Sequence, residues 1–150
     1  MFEQVPYGIV SHDNDRRDDY LYRVSLKCLV KNPDGQVLVV RETGRHCWDL
    51  PGGGMDHGED IKSAIAREMS EEVSFSGDFT YRIINVEEPK HLQPHNFWQI
   101  RLIFEVTPKI FDFSAGIDGD EVSFINPLEF KNSEKPTEKL VHYYYSLLVN

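Results

Sequence analysis

Three glutamates in the middle of the chain have the spacing to hold a divalent cation. Residues 59–73 carry apolar side chains at three- and four-residue intervals, which predicts a helix. On this helix Glu68 and Glu72 lie one turn apart beside the stripe that should face the core, and Glu71 lies next to them. Such a like-charged pair destabilises a helix by ~0.2–0.5 kcal/mol, and carboxylates near a buried face are poorly hydrated. A magnesium site would explain this arrangement because Mg²⁺ prefers oxygen ligands; a solvated acidic face is the other interpretation.

A run of glycines precedes the predicted helix. We expect the three consecutive glycines at residues 52–54 to exclude regular structure and to let the backbone approach a ligand closely. Their carbonyl oxygens would then add to the same metal site.

The rest of the chain supplies the elements that must position these groups. Alternating or β-branched segments predict strands at residues 20–31, 36–42, 79–88, 96–107 and 121–125, and the second helix is predicted at residues 137–149. The turn-forming residues 32–35 predict that the first two strands are antiparallel. Five or six strands and two helices in mixed order favour an α/β or α+β sandwich with a mixed sheet.

Length and charge restrict the class of protein. The 150 residues fit one domain, and residues 1–19 are expected to form an N-terminal extension. A net charge of −9 argues against duplex nucleic acid as a partner, because duplex binding needs clustered Lys and Arg. The two cysteines exclude a disulfide framework, and no segment has the pattern of a signal peptide or a membrane span. We therefore expect a cytoplasmic protein without a membrane partner.

The spacing of the glycine loop and the acidic helix resembles the Nudix box. That signature consists of Gly, five residues, Glu, seven residues, Arg-Glu, an aliphatic, any residue, Glu-Glu, any residue, Gly and an aliphatic. The chain matches it with Gly53, Glu59, the segment Arg67-Glu68-Met69-Ser70-Glu71-Glu72 and Phe75. Ser74 stands where the family has its last glycine, which puts the geometry of the loop after the helix in doubt. The resemblance implies the Nudix α/β/α sandwich over residues 20–148.

The resemblance also implies roles for individual residues. Glu68 and Glu72 would be the principal Mg²⁺ ligands, and Glu71 would be a further ligand or the group that deprotonates the attacking water. Gly52 would offer its carbonyl oxygen to the cation, and Arg67 would orient the neighbouring carboxylates. At the helix start, Glu59 would support the loop and favour the positive end of the helix dipole.

Four residues outside this motif are further candidates. Glu121 follows the acidic loop at residues 118–120 and is a candidate base or metal ligand. Arg41 and Arg45 could clamp substrate phosphates by forked hydrogen bonds, although surface arginines are an equally good interpretation. Trp98 points to the opposite face from its neighbour on the predicted strand and is a candidate for contact with substrate.

The function that these features imply is Mg²⁺-dependent hydrolysis, with Mn²⁺ as a substitute ion. Members of the family hydrolyse a diphosphate linkage attached to another group, usually a nucleoside, so the expected partner is a small nucleotide or nucleoside diphosphate derivative. The alternative is a Nudix-fold module that senses a nucleotide without cleaving it. The sequence leaves a homodimer and the choice of diphosphate substrate open.

Overall fold

The computed structural model of the protein describes residues 2–5, 9–12, 18–118 and 121–148. Its helices are α1 (Ile61–Val73) and α2 (Pro136–Ser146), and a 3-10 helix spans Pro127–Phe130. The strands in this part of the chain are β1 (Phe2–Val5), β2 (Ile9–His12), β3 (Asp19–Tyr20), β4 (Tyr22–Leu29), β5 (Val37–Arg41), β6 (Gly52–Gly54), β7 (Phe79–Val86), β8 (Lys90–Leu92), β9 (Phe97–Pro108) and β10 (Glu121–Ile125). The two helices and the five strand segments predicted from the sequence are all present.

The main sheet is mixed, as expected. Its strands follow the order β6-β4-β9-β7, and β8 pairs with β9 beside β7. Strand β4 is parallel to β9, whereas β6, β7 and β8 are antiparallel to their neighbours. Strands β5 and β10 form a separate antiparallel pair, and β1, β2 and β3 form a third sheet.

The alternation of side chains along β4 divides the core into two parts. Leu26 and Cys28 point to one face of the sheet and pack in the cluster that includes the apolar side of α1. Leu29 points to the other face and packs with Ile103 in the cluster that includes Val141 of α2. Since successive side chains of a strand point to opposite faces, the central strands are buried by a helix on each side.

One local prediction was wrong. Residues 52–54 form a short strand paired with Ser25–Lys27, whereas the glycine run was expected to exclude regular structure. The strand at 36–42 is antiparallel to the preceding strand, as predicted, and next to the turn they are joined by the bridge between Lys31 and Val37 and by the hydrogen bond from Leu38 to Val30. Beyond the turn, β5 pairs with β10 in the other sheet. Glycines can pair in a ladder because pairing uses only the backbone, and a hairpin turn does not force its strands to stay together beyond the turn.

The predicted extension at residues 1–19 includes the sheet formed by β1, β2 and β3. Residues 1, 6–8 and 13–17 of that segment lie outside the described residues, as does residue 149 in the predicted last helix. Within the described chain, neither helix is long and apolar enough to cross a membrane.

Candidate active site

Residues 55–60 separate the glycine strand from helix α1, which carries the three candidate glutamates. Asp60 is its N-cap, and the side-chain carboxylate accepts a hydrogen bond of 2.8 Å from the backbone N–H of Ser63. The helix was predicted to begin at Glu59, which instead lies just before the cap. Asp60 therefore satisfies an orphan donor of the first turn, and Glu59 is available for another partner.

The end of α1 explains how Ser74 replaces a glycine. Ser74 adopts the left-handed conformation, with φ 54° and ψ 31°, and its hydroxyl donates to the carbonyl of Ala115 at 3.1 Å. A glycine would adopt this conformation at lower cost, but the helix ends in the same way with serine. The doubt about the loop geometry is therefore removed.

A segment after β9 also fixes this end of the helix. The backbone N–H groups of Ser114, Gly116 and Asp118 donate to the last carbonyls of α1, those of Val73, Glu72 and Glu71 respectively, at 3.0–3.1 Å. A Cβ at Gly116 would lie 2.1 Å from the Glu71 carbonyl oxygen, so only glycine allows this close approach. The backbone positions of the last two candidate glutamates are thus held by residues 114–118.

Glu68 and Glu72 are buried, as the helical spacing predicted. They are 6% and 5% exposed, and burial raises the pKa of both carboxyls, that of Glu72 to about 8. The Oε2 atom of Glu72 accepts a hydrogen bond of 2.8 Å from the Gly52 N–H. A Cβ at Gly53 would lie 2.7 Å from Oε1 of Glu68, so this glycine makes room for the carboxylate. Two carboxylates are therefore held against the glycine strand at a cost in desolvation.

Arg67 connects the glycine strand, the helix start and the glutamates. Its Nε and Nη2 atoms donate to the Glu59 carboxylate at 2.8 and 2.9 Å, and Nη2 also donates to the Gly54 carbonyl at 2.9 Å. Its Nη1 atom reaches Glu68 at 3.0 Å and Glu71 at 3.3 Å.

The Arg67 hydrogen bonds lower the pKa of Glu59 to about 2, and the Glu59 carboxylate raises that of Arg67. This geometry agrees with the orienting role expected for Arg67 and the supporting role expected for Glu59. The dipole role of Glu59 is not confirmed, since the first turn of α1 contains no acidic residue.

An ion pair on the other side of the glycine strand fixes the loop before it. The Nζ atom of Lys27 lies 2.8 Å from Oδ2 of Asp49 and 3.3 Å from the carbonyl oxygen of Leu50. The side chains of the pair are 12% and 21% exposed. Burial raises the pKa values of Glu68 and Glu72, and the charge of Lys27 offsets a small part of that rise.

These groups line an open cleft of about 600 Å³. Its walls include the glycine strand and four charged side chains of helix α1, those of Arg67, Glu68, Glu71 and Glu72. Glu71 is the most exposed of the three glutamates, with a side chain 38% accessible. The cleft thus combines two buried carboxylates with one carboxylate at the solvent edge.

The other predicted candidates lie outside this lining. Arg41 forms an ion pair with Glu121, its partner in the β5–β10 register, and its guanidinium lies 5.0 Å from the Trp48 ring. Arg45 pairs with Glu42 at 3.1 Å. Gly119 and Asp120 of the acidic loop lie outside the described residues. Arg41 and Glu121 thus neutralise each other, and Arg45 pairs with Glu42, which itself lines the cleft.

Arg23 is a cleft residue that the sequence interpretation missed. It lies on β4, and a Cβ at Gly54 would lie 2.4 Å from its Nη2 atom, so its guanidinium covers that glycine. Glu42 and Thr43, between the two predicted arginines, also line the cleft. A charged side chain near the start of a predicted strand was the available signal for Arg23, but only the pairing of β4 with β6 shows where it lies.

The donor chemistry of the cleft fits a hard divalent cation. Glu68 and Glu72 provide carboxylate oxygens, and Glu71 adds another at the edge. Among the described residues, no three His, Cys, Asp or Glu side chains form a ready metal-binding group. Glu68 and Glu71 each accept from Arg67 through one carboxylate oxygen, and Glu72 accepts from the Gly52 N–H through one, so each carboxylate keeps acceptor capacity for a cation while these hydrogen bonds hold it in place.

Solved structures with the same fold are found at low sequence identity. The MutT protein from Methanosarcina mazei aligns with a TM-score of 0.67 and 20% identity, covering 85% of this chain and 94% of that one. The NUDIX domain of Shewanella oneidensis NrtR, complexed with ADP-ribose, aligns with a TM-score of 0.69 and 11% identity, covering 88% and 91%. These likenesses establish the α/β sandwich.

Sequence comparison gives the family. The NUDIX domain model matches residues 21–144, and the chain therefore belongs to the NUDIX domain family. Proteins of this family generally use divalent metal ions.

Among curated relatives, the RNA pyrophosphohydrolase of Sodalis glossinidius is 44% identical over 59 residues, and that of Escherichia coli O139:H28 is 41% identical over 59 residues. Each match covers 39% of this chain and 34% of the relative, so it spans about a third of those proteins.

Proposed function

We propose that the protein is a Mg²⁺-dependent hydrolase that cleaves a diphosphate linkage in a nucleotide or nucleoside diphosphate derivative. The observation that carries this proposal is the pair Glu68 and Glu72, buried at 6% and 5% exposure against the glycine strand in an open cleft. Two buried like charges are costly, and a bound cation would offset that cost. The similarity to RNA pyrophosphohydrolases over 59 residues supports a phosphoanhydride as the bond that is cleaved.

Each residue of the cleft has a distinct part in this reaction. Glu68 and Glu72 would hold the cation, with the Gly52 carbonyl as a further oxygen ligand, and Mn²⁺ could replace Mg²⁺. The ion would neutralise the charge of the diphosphate oxygens and lower the pKa of a bound water. Arg67, anchored by Glu59, keeps the carboxylates of Glu68 and Glu71 oriented.

The chemical step exchanges one bond to phosphorus for another. The oxygen of water forms a bond to phosphorus while the bond from that phosphorus to the bridging oxygen breaks, and the bridging oxygen leaves with the other fragment. We propose that Glu71 takes the proton from the water at a carboxylate oxygen, because it is the glutamate at the edge of the cleft. Arg23, over Gly54, would bind a non-bridging phosphate oxygen.

A substrate panel tests this proposal. It should contain ADP-ribose, a UDP-sugar, nucleoside triphosphates, a dinucleoside polyphosphate and a 5′-triphosphorylated RNA oligonucleotide, each with Mg²⁺ and each analysed for its products. We expect at least one to be hydrolysed. The variant Glu68→Gln/Glu72→Gln, called the double-glutamine variant below, should lose activity by orders of magnitude.

Glu138→Gln is the matched control because Glu138 is also buried, at 7% exposure, but accepts its hydrogen bonds from Ser133 and Trp48 near α2. It should retain activity. Tight nucleotide binding without turnover of any compound would contradict the proposal and favour the sensing module. Full activity of the double-glutamine variant would place the metal site elsewhere.

A further inference from the structure

Gly54, the last glycine of strand β6, lies beside two guanidinium groups. Its carbonyl oxygen accepts a hydrogen bond of 2.9 Å from Nη2 of Arg67. The guanidinium of Arg23 covers the place where a side chain of residue 54 would begin. Strand register explains the second contact. Gly54 is paired with Ser25, so a side chain at Gly54 would share one face of the sheet with those of Ser25 and Arg23.

The distances show which edge of the Arg23 guanidinium faces the glycine. An ideal Cβ on Gly54 would lie 2.4 Å from Nη2, 2.5 Å from Nε and 2.8 Å from Cζ. Because the two nitrogens are nearer than the carbon between them, the edge that they form faces Gly54, and Nη1 points away from it. Only a residue without a Cβ allows this approach. The contact fixes one edge of the guanidinium and leaves the N–H donors of Nη1 for an anion.

The ring of Phe97 holds the same guanidinium from the neighbouring strand. Arg23 is paired with Gln99 in the parallel register of β4 and β9, so Phe97 is its diagonal neighbour on the same face. The Cζ atom lies 5.6 Å from the centre of the Phe97 ring, where a cation is attracted to the ring face. Trp98, whose contact with substrate stays a prediction, points to the opposite face and lies 6.4 Å from Tyr22 between ring centres. Phe97 is therefore the ring of β9 that holds Arg23.

The two guanidinium groups beside Gly54 differ in the charges around them. Arg67 lies 2.8–3.3 Å from four carboxylates, those of Asp56, Glu59, Glu68 and Glu71. Their charges offset that of Arg67, which agrees with its orienting role. The glycine and the ring that hold Arg23 carry no charge, so these two contacts fix its position without offsetting its attraction for a phosphate oxygen.

We infer that Gly54 and Phe97 are positioning residues that fix the Arg23 guanidinium for the diphosphate in the cleft. The inference rests on the proposed function, in which Arg23 binds a non-bridging phosphate oxygen. Gly54 sets how closely the guanidinium approaches β6, and Phe97 holds it from the side of β9. A guanidinium that is fixed before the ligand arrives loses less freedom on binding than a mobile one. Both residues therefore raise the affinity for phosphate without touching it.

A second cavity separates the positioning role of Gly54 from any role in the fold. Arg23 lines both the cleft and this cavity of about 300 Å³, whose walls include Met55 and His57. The three atoms nearest to a Cβ added at Gly54 all belong to the end of the flexible Arg23 side chain, which has room to move into the cavity. The backbone of Gly54 also lies outside the left-handed region, so alanine fits its conformation. Gly54→Ala should keep the fold and displace the guanidinium.

Equilibrium binding of methylenediphosphonate with Mg²⁺ present tests the inference, because this ligand resists hydrolysis at its bridge and consists of the two phosphate-like groups alone. Arg23→Met should lower the affinity by on the order of ten- to a hundredfold, the range for a hydrogen bond to a charged group. Gly54→Ala should lower it by about tenfold in the wild-type protein and leave it unchanged in Arg23→Met. A merely structural role of Gly54 would not produce that difference.

Substitutions at Phe97 test the second positioning residue. Phe97→Leu should lower the affinity by about two- to fivefold, the range for an exposed cation–π contact, and this loss should disappear in Arg23→Met. Phe97→Tyr should bind like the wild type, because it keeps the ring. Arg82→Met is the control for loss of an arginine, since Arg82 pairs with Glu105 on the β7 side of the sheet, and its affinity should equal that of the wild type.

An equal loss of affinity from Gly54→Ala with and without Arg23 would overturn the inference, because the added methyl group would then act on the ligand itself. Unchanged affinity in Gly54→Ala, or a wild type that does not bind the ligand, would overturn it as well. If urea unfolding shows that Gly54→Ala does not fold, the Phe97 variants decide. A loss in Phe97→Leu that disappears in Arg23→Met supports the inference, and affinity that is the same in Phe97→Leu and wild type overturns it.

The proposed function fails separately, because binding is measured without turnover. If the variants show the expected dependence on Arg23 but no compound of the substrate panel is hydrolysed, the positioning is confirmed and the hydrolase proposal is refuted. If compounds are hydrolysed and the effect of Gly54→Ala does not depend on Arg23, only the positioning is refuted.

Discussion

Replacing Glu72 by glutamine should change how the stability of the metal-free protein depends on pH. Burial raises the pKa of this carboxyl from its ordinary value of 4.5 to about 8 in the folded protein. The folded state therefore holds the proton more tightly than the unfolded state. The contribution of Glu72 to stability is full below pH 4.5 and is lost as the pH rises towards 8.

The size of this effect follows from the two pKa values. Each pH unit over which Glu72 is ionised only in the unfolded state lowers the free energy of unfolding by about 1.4 kcal/mol. Between pH 6 and pH 8 the loss is about 2 kcal/mol, because half of the folded molecules are already ionised at the upper end. Glutamine carries no charge at either pH, and its carbonyl can still accept the hydrogen bond from Gly52.

Urea unfolding in EDTA at pH 6 and pH 8 measures the effect. Glu72→Gln should reduce the loss of stability between these pH values by about 2 kcal/mol relative to wild type. Burial also raises the pKa of Glu68, so the contribution of Glu68 has the same sign in both proteins.

Glu138→Gln provides the control for loss of a buried carboxylate outside the cleft, and its response to added Mg²⁺ should equal that of wild type. Added Mg²⁺ should stabilise the wild type at pH 8 and have much less effect on Glu72→Gln. If wild type and Glu72→Gln lose the same free energy between pH 6 and pH 8, the burial argument for Glu72 is refuted.

Three further predictions concern the supports of the site. Mg²⁺ or Mn²⁺ at a hundredfold excess over Kd should stabilise the wild type by ~2.7 kcal/mol and raise Tm by several degrees, and an equal shift in the double-glutamine variant would contradict the metal assignment. Gly116→Ala should lower the free energy of unfolding in urea by ~2 kcal/mol or more, because its Cβ would lie 2.1 Å from the Glu71 carbonyl oxygen. Gly58→Ala would meet no atom within 4 Å, and its positive φ should cost only about 1 kcal/mol. Lys27→Met should lower the free energy of unfolding by ~3 kcal/mol, because it leaves the Asp49 carboxylate poorly hydrated. Lys27→Arg should recover part of this loss. Equal stability of Lys27→Met and wild type would refute the structural role of the ion pair.

Helical periodicity was sufficient to predict the central part of the site. Residues one turn apart on a helix share a face, so the burial of Glu68 and Glu72 followed from their spacing relative to Ile65. The family resemblance implied that Arg67 orients the neighbouring carboxylates and that Glu59 supports the loop, and Arg67 is hydrogen-bonded to both Glu59 and Glu68. Both results depend on local geometry, which a short segment specifies by itself.

Contacts between distant segments were not predictable in this way. Asn32 to Gly35 formed the expected turn, yet the choice of β10 as the partner of β5 depends on residues 80 positions away from Arg41. That pairing joins Arg41 to Glu121. A side chain's charge can be read from the sequence, but its nearest opposite charge depends on which strands become neighbours.

The sequence by itself therefore determined the family, the helix that carries Glu68, Glu71 and Glu72, and the carboxylate oxygens that suit a divalent cation. These features depend on residue type and on spacing within one helix and the loop before it. Tertiary structure alone decided that the glycine run is a strand paired with β4, that Arg23 consequently covers Gly54, and that Tyr22 meets Trp98. The physical reason is that strand pairing uses backbone groups common to all residues. Register is set by the packing of the whole sheet rather than by the residues that it brings together.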